Sequence, residues 1–336
     1  MEISELGEFA LIRHLTEKIN LKNSSTVKGA GDDAAVLDYS AKKTLVSTDL
    51  LLEGIHFDLT YVPLKHLGYK AAVVNFSDIY AMNGQPKQIT VSIGISARFK
   101  VEDIDEIYSG ILLACEKYGV DLVGGDTSSS LTGLIISVTC IGEGENIVYR
   151  NGAKDSDLIC VSGDLGAAYM GLQLLEREKR VFAQNLENAQ PDFKGKDYIL
   201  ERQLKPEARR DIIRILAEKN ILPTAMIDVS DGLSSDIMHI CEQSKVGCRI
   251  YEDKIPVDYE TATMAEEFNM NLITAALNGG EDYELLFTVP LADHDKVKNI
   301  EQIKIIGHIT ELEAGLALVT RDGQEFQLRA QGWNSF

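Results

Sequence analysis

The segment AMIDVSDGLSSD, residues 225–236, decides the architecture. Residues 225–229 read as a short apolar strand carrying a carboxylate, Asp228, at its end. Ser230-Asp231-Gly232 then turns the chain, and residues 231–245 carry helical spacing. A strand, an acid-bearing glycine turn and a helix follow one another within about twenty residues. The same pattern recurs outward in both directions. Residues 120–124 form a strand that runs into Gly124-Gly125-Asp126-Thr127. Residues 44–49 form a strand that closes on Ser47-Thr48-Asp49. Gly29-Ala30-Gly31-Asp32-Asp33 precedes a strand at 34–38, and Gly279-Gly280-Glu281-Asp282 precedes one at 283–289.

Between these lie helices expected at 8–20, 65–82, 102–118, 164–178, 206–219 and 260–278, and strands at 88–95, 133–142, 157–162, 247–251, 303–309 and 315–319. The mixture gives an α+β or α/β chain. At 336 residues it is long enough for about two domains. Gly144, Asn151 and Gly152 mark the break, giving domains of 1–148 and 149–336. Residues 179–205 are polar and poorly patterned, with Pro191 and Gly195, and read as an exposed, dispensable surface insertion with some helix.

Composition narrows the chemistry. The 52 acidic and 33 basic residues leave a formal charge of −19. That excludes a broad grip on nucleic-acid phosphates and disfavours an anionic membrane. No apolar run approaches the ~18 residues of a membrane span. The N-terminal MEISELGEFALIRHL carries acids where a signal peptide needs basic residues. Five scattered cysteines without a CxxC pair read as reduced core residues of a cytoplasmic protein.

The chemical signal is the acids themselves. A carboxylate ending an apolar strand must meet a metal, a cation or backbone donors, because burying it unpaired is costly. Mg²⁺ takes oxygen ligands, usually a few carboxylates together with substrate phosphates. Each acid also has a plainer reading. Gly-Asp pairs make turns, and Asp231 can cap the helix after it. Asp78 lies on the 65–82 helix three residues after Asn75, so the two share a face. The sequence has no GxxxxGK[ST] loop, no GxSxG and no zinc-spaced His/Cys cluster.

The ordered set GEFALI (7–12), GAGDDAAVL (29–37), STDLLLEGIHF (47–57), LGYKAAVVNFSDIYAMNGQP (67–86), LVGGDTS (122–128), RNGA (150–153), IDVSDGLSSD (227–236) and NGGEDYELLFTVP (278–290) resembles the thiamine-monophosphate kinase family. The resemblance implies a two-domain fold like that of aminoimidazole ribonucleotide synthetase. Its N-terminal sheets would pair into a barrel across a homodimer, and an α/β domain would follow. It implies ATP and thiamine monophosphate as substrates, several Mg²⁺ ions, in-line phosphoryl transfer and no dedicated general base. By the same resemblance, Asp33, Ser47, Thr48, Asp49, Asp78, Asp126, Asp228 and Asp231 would hold metal. Tyr118, Gly125, Asp126, Arg150 and Ser230 would contact ATP, and His56, Glu281 and Trp333 would contact thiamine monophosphate.

By themselves, His56 reads equally as a packed histidine, Arg150 as a surface arginine and Trp333 as a docking residue. Asp155-Ser156 stands where the family has Pro-Gly, which touches a turn. Sibling synthetases are disfavoured by the lack of a cysteine in the N-terminal glycine segment and at the C-terminus. A non-catalytic Mg²⁺–nucleotide sensor is the competing class.

Overall fold

The computed structural model describes residues 14–15, 17–28, 36–39, 42–184 and 191–329. The 8–20 helix, the Gly29–Asp33 turn and Trp333 fall wholly or mostly outside these residues. The chain divides into two compact units, Met1–Ile147 and Val148–Phe336.

In the first unit the elements are β1 (Thr26–Lys28), β2 (Val36–Leu37), β3 (Lys43–Leu52), α1 (Leu64–Ala81), β4 (Gln85–Ile95), α2 (Val101–Tyr118), β5 (Asp121–Ser129) and β6 (Ile135–Gly144). The main sheet runs β3-β6-β4-β5, with only the β4–β5 pair parallel. Period-2 alternation sorts its side chains into two faces. Leu45, Leu51, Ile136, Val138, Cys140, Ile89, Val91 and Ile93 are buried on one face. On the other, Val46 and Leu50 are 68% and 49% exposed.

Helices α1 and α2 cross at backbone contact. A Cβ at Gly68 would strike the Ile107 carbonyl, and one at Gly110 would strike the Lys65 carbonyl. Asp121, fully buried, is spent on structure. It accepts from the Asn23 amide at 2.9 Å and the Thr26 hydroxyl at 2.6 Å, which ties the β1 segment to the sheet.

The second unit contains β7 (Leu158–Ser162), α3 (Ala167–Gln184), α4 (Asp197–Leu204), α5 (Arg210–Glu218), β8 (Ala225–Asp228), α6 (Leu233–Ser244), β9 (Gly247–Tyr251), α7 (Tyr259–Glu267), α8 (Leu272–Asn278), β10 (Leu285–Val289), β11 (Ile303–Thr310), β12 (Leu316–Val319) and β13 (Glu325–Gln327). Its sheet order is β13-β12-β9-β11-β7-β10-β8. Only β12–β9 is parallel, so this α/β unit is built on a mixed, mainly antiparallel sheet. One core packs α6 on that sheet through Leu233, Ile237 and Ile240. A second gathers α3, α4, α7 and α8 around Met170, Leu174, Ile199 and Met264.

Three expectations need correction. The strands expected to close at Asp49 and at Gly124 run on to Leu52 in β3 and Ser129 in β5, so Asp49, Gly125 and Asp126 lie within strands and not in turns. The single 260–278 helix is two helices, α7 and α8, separated by Asn269 with φ +52° and by the Asn271 cap. The 179–205 stretch is not exposed throughout. It holds the end of α3 and all of α4, whose Ile199 is fully buried. The Asp155-Ser156 departure does lie in a turn, and Ser156 takes φ +68°, a conformation glycine adopts more easily. All five cysteines are buried and free. No helix among the described residues is long and apolar enough to cross a membrane.

Substituting Gly110→Ala should force α1 and α2 apart and cost about 1–3 kcal/mol, as overpacking does. Urea unfolding of the variant beside the wild type checks this, and an unchanged midpoint would contradict the close crossing.

Candidate active site

In the first unit the structure joins three of the expected residues. Ser47 and Asp49 point from β3 to the helix-covered face, and the Ser47 hydroxyl donates to Asp78 on α1. Burial pushes the Asp49 carboxyl up to about 6, and the negative charge of Asp78 adds to the rise. Two carboxylates and a hydroxyl held this closely are hard oxygen donors with mutual repulsion that a divalent cation relieves, so the set fits Mg²⁺. Among the described residues, no group of three histidine, cysteine or carboxylate side chains is arranged to hold a metal unaided. That is the usual condition for Mg²⁺, which shares its shell with water and phosphate.

Thr48 and Asp126 belong to the opposite face. Thr48 pairs with Thr139 across the strands, hydroxyl to hydroxyl at 3.1 Å. Asp126 is exposed in register with Ser92. Gly125 is required whatever it binds, because a Cβ there would strike the Val91 carbonyl.

His56 is exposed, and its Nδ1 accepts the Leu52 amide at 3.0 Å. The ring proton is thereby assigned to Nε2, which is left as a donor. Tyr118 is buried, with its ring 5.4 Å from Phe76 and 6.2 Å from Tyr80. Its ring packs against α1. The residue ends a helix, and sequence spacing alone did not show which way its ring turns.

In the second unit, Asp228 ends the edge strand β8 and is 3% exposed. The turn after it is held by the loop 279–284. The Glu281 amide donates to the Ser230 carbonyl at 2.8 Å, and the Tyr283 amide to Val229 at 2.9 Å. Glu281 and Tyr283 both take φ above +50°, which non-glycine residues rarely adopt. A Cβ at Gly280 would come within 2.6 Å of the Ser230 carbonyl. Asp228, Ser230, Asp231 and Glu281 are thus gathered at one end of this sheet.

Asp236, which sequence reasoning left unassigned although it closes the quoted motif, completes the group. Its Oδ2 accepts the Asp231 and Gly232 amides at 3.3 and 3.2 Å. Burial, then Asp228 and Asp231, pushes its carboxyl up to about 8. Arg150 is elsewhere in the unit. Its carbonyl accepts from Ser244 at the far end of α6, and a 12-residue helix spans about 18 Å.

Sequence reasoning also missed the cations beneath the loop. Glu284 is buried and accepts Arg202 Nη1 at 2.7 Å, Ser162 Oγ at 2.5 Å and Arg209. Burial works against the Arg202 charge, but Glu284, Asp282 and Asp164 outweigh it and raise its pKa. Asp282 accepts the Gly166 amide at 2.8 Å at the start of α3, and burial raises its carboxyl to about 7. Gln203 donates to Glu281 Oε2 at 2.9 Å. Arg202 and Gln203 lie in the polar stretch read as dispensable, where no apolar periodicity announces a buried charge.

With this geometry in view, known proteins place the chain. Two family models match: AIR synthase related protein, N-terminal domain, over residues 31–143, and its C-terminal domain over 157–316. The chain is 36% identical over 336 residues to the thiamine-monophosphate kinase of Aquifex aeolicus, with full coverage of both chains. It belongs to the thiamine-monophosphate kinase family. The Buchnera aphidicola (subsp. Schizaphis graminum) thiamine-monophosphate kinase is 35% identical over 341 residues, covering 99% of each chain. The solved structure of AaThiL complexed with AMPPCP and TMP superposes with a TM-score of 0.77 at 36% identity, covering 100% of this chain and 99% of that one.

The buried arginine makes a direct prediction. Arg202→Ala should leave Glu284 and Asp282 short of a cation and cost about 3–5 kcal/mol. Calorimetric or denaturant unfolding would show it; a loss under 1 kcal/mol would refute the pairing.

Proposed function

We propose that this chain transfers the γ-phosphoryl group of ATP to the phosphate of thiamine monophosphate, giving ADP and thiamine diphosphate, with Mg²⁺. The observation that carries this reading is the Ser47–Asp49–Asp78 cluster, set in a chain that matches its kinase relatives from end to end. Magnesium bound there would neutralise and template the phosphate oxygens. The residues supply position and charge. Asp49 and Asp78 hold paired negative charge toward the cation, and the Ser47 hydroxyl fixes the Asp78 carboxylate. Asp228 and Asp231 form the corresponding acidic group of the second unit.

The acceptor is itself a phosphate, already ionised near neutral pH, so the reaction needs no side chain to take a proton. Phosphoryl transfer then rests on in-line positioning. Glu281, held by Gln203 and by its own backbone, faces the thiazolium cation in this reading, and His56 Nε2 donates to phosphate. Arg150, a planar cation suited to phosphate, remains the proposed ATP contact together with Tyr118, Gly125 and Ser230. Asp33 and Trp333 keep their proposed roles, and Asp126 is proposed as a ligand from the open face. The enzyme is proposed to act in the cytoplasm.

We also propose a homodimer formed through the open sheet face. Val46 and Leu50 stand exposed there beside Ile135 and Ile141, a larger apolar face than a solvated sheet needs. Leu50→Lys should shift the sedimentation mass from two chains to one. A variant that sediments as the wild type does would count against this face.

For the reaction, Asp49→Asn should lower kcat at least ~10²-fold, the order for losing one preorganised electrostatic group. Thr48→Val, on the opposite face from Asp49 and Asp78, should cost less than about tenfold. Near-normal turnover of a folded Asp49→Asn enzyme would refute the assignment.

A further inference from the structure

The Asp49–Asp78 pair has a neighbour that no assigned role uses. Asn75 on α1 is fully buried. Its Nδ2 donates to the Ala71 carbonyl at 3.1 Å, while Oδ1 has no hydrogen-bond partner. The amide orientation is fixed, because exchanging nitrogen and oxygen would set oxygen against the Ala71 oxygen. Native structures rarely leave a buried carbonyl of this kind without a ligand.

Helix geometry shows which face Asn75 occupies. Asp78 reaches β3 at Ser47, and Ile79 reaches β6 at Gly142. Asn75 lies three residues before the first and four before the second, so it sits on the same face between them, one turn toward the helix start. The end of α1 lies at Leu45, where a Cβ on Gly84 would meet the leucine side chain. Stepping back one turn, about 5.4 Å, therefore advances about two residues along β3, from Ser47 to Asp49. Asp49, Ser47 and Asp78 are half-buried, so a hydrated cation can reach them.

We propose that Asn75 Oδ1 is a further oxygen ligand of a divalent cation held by Asp49 and Asp78, with Ser47 at its edge. The inference rests on reading that pair as a cation site. A neutral carbonyl adds an oxygen without adding a third charge to an already repulsive pair, which suits a hard cation that must also accept phosphate.

The test is Mn²⁺ binding to the whole, nucleotide-free protein, followed by electron paramagnetic resonance. Asn75→Ala should weaken the tightest site about 10- to 100-fold, the range seen when a metal site loses a supporting group. Asn75→Leu, which keeps the volume but no oxygen, should lose as much, with thermal unfolding confirming that it is folded. An unchanged affinity in either folded variant overturns the proposal. Anomalous scattering from wild-type crystals with Mn²⁺ needs no variant. An ion bonded to Asn75 Oδ1 supports the proposal, and an ion on Asp49 and Asp78 that leaves Oδ1 unbonded overturns it. A wild type that binds no Mn²⁺ removes the cation reading of the pair as well.

Discussion

A carboxylate taken out of water must be given a cation, a set of N–H donors or a proton, and this constraint sorts the acids of a chain carrying −19. Glu284 has two arginines. Asp121 has a backbone amide and a threonine hydroxyl. Asp236 and Asp282 accept helix-start amides and are still pushed toward the protonated form. Asp49 has a like charge as its neighbour. The first two solutions are complete within the protein and build the fold. The last is incomplete within the protein, which is what motivates the proposed cation site.

The second unit shows how structure prepares such a group. The Arg202–Glu284 and Arg209–Glu284 pairs anchor the loop on which Glu281 and Tyr283 are held at positive φ. Strain of this kind persists only where surrounding contacts over-determine it. Here those contacts include backbone hydrogen bonds to the turn carrying Ser230. Glu281 and the acidic turn are therefore parts of one end of the sheet.

Much of this was legible in the sequence. The strand-ending acid and glycine turns around Asp228–Gly232 and Gly280–Asp282 were legible, whereas Asp49 and Asp126 lie inside β3 and β5, and the helices α1, α2 and α6 fell close to their expected limits. Period 2 also implied that Thr48 must face away from Ser47 and Asp49, so the set of metal ligands could not share one face by side chains alone. What the sequence concealed were interactions between distant residues. Arg202 and Gln203 occupy a polar stretch whose partners lie some eighty residues away, and burying a charge leaves no periodic signature. The packing of Tyr118 on Phe76 was hidden as well, because it depends on how α1 and α2 cross.

The most direct test of the account is product analysis with the purified protein, ATP, Mg²⁺ and thiamine monophosphate. The account predicts ADP and thiamine diphosphate in equal amounts, abolished by EDTA and restored by excess Mg²⁺. ATP binding without thiamine diphosphate, or product formation indifferent to EDTA, would contradict it.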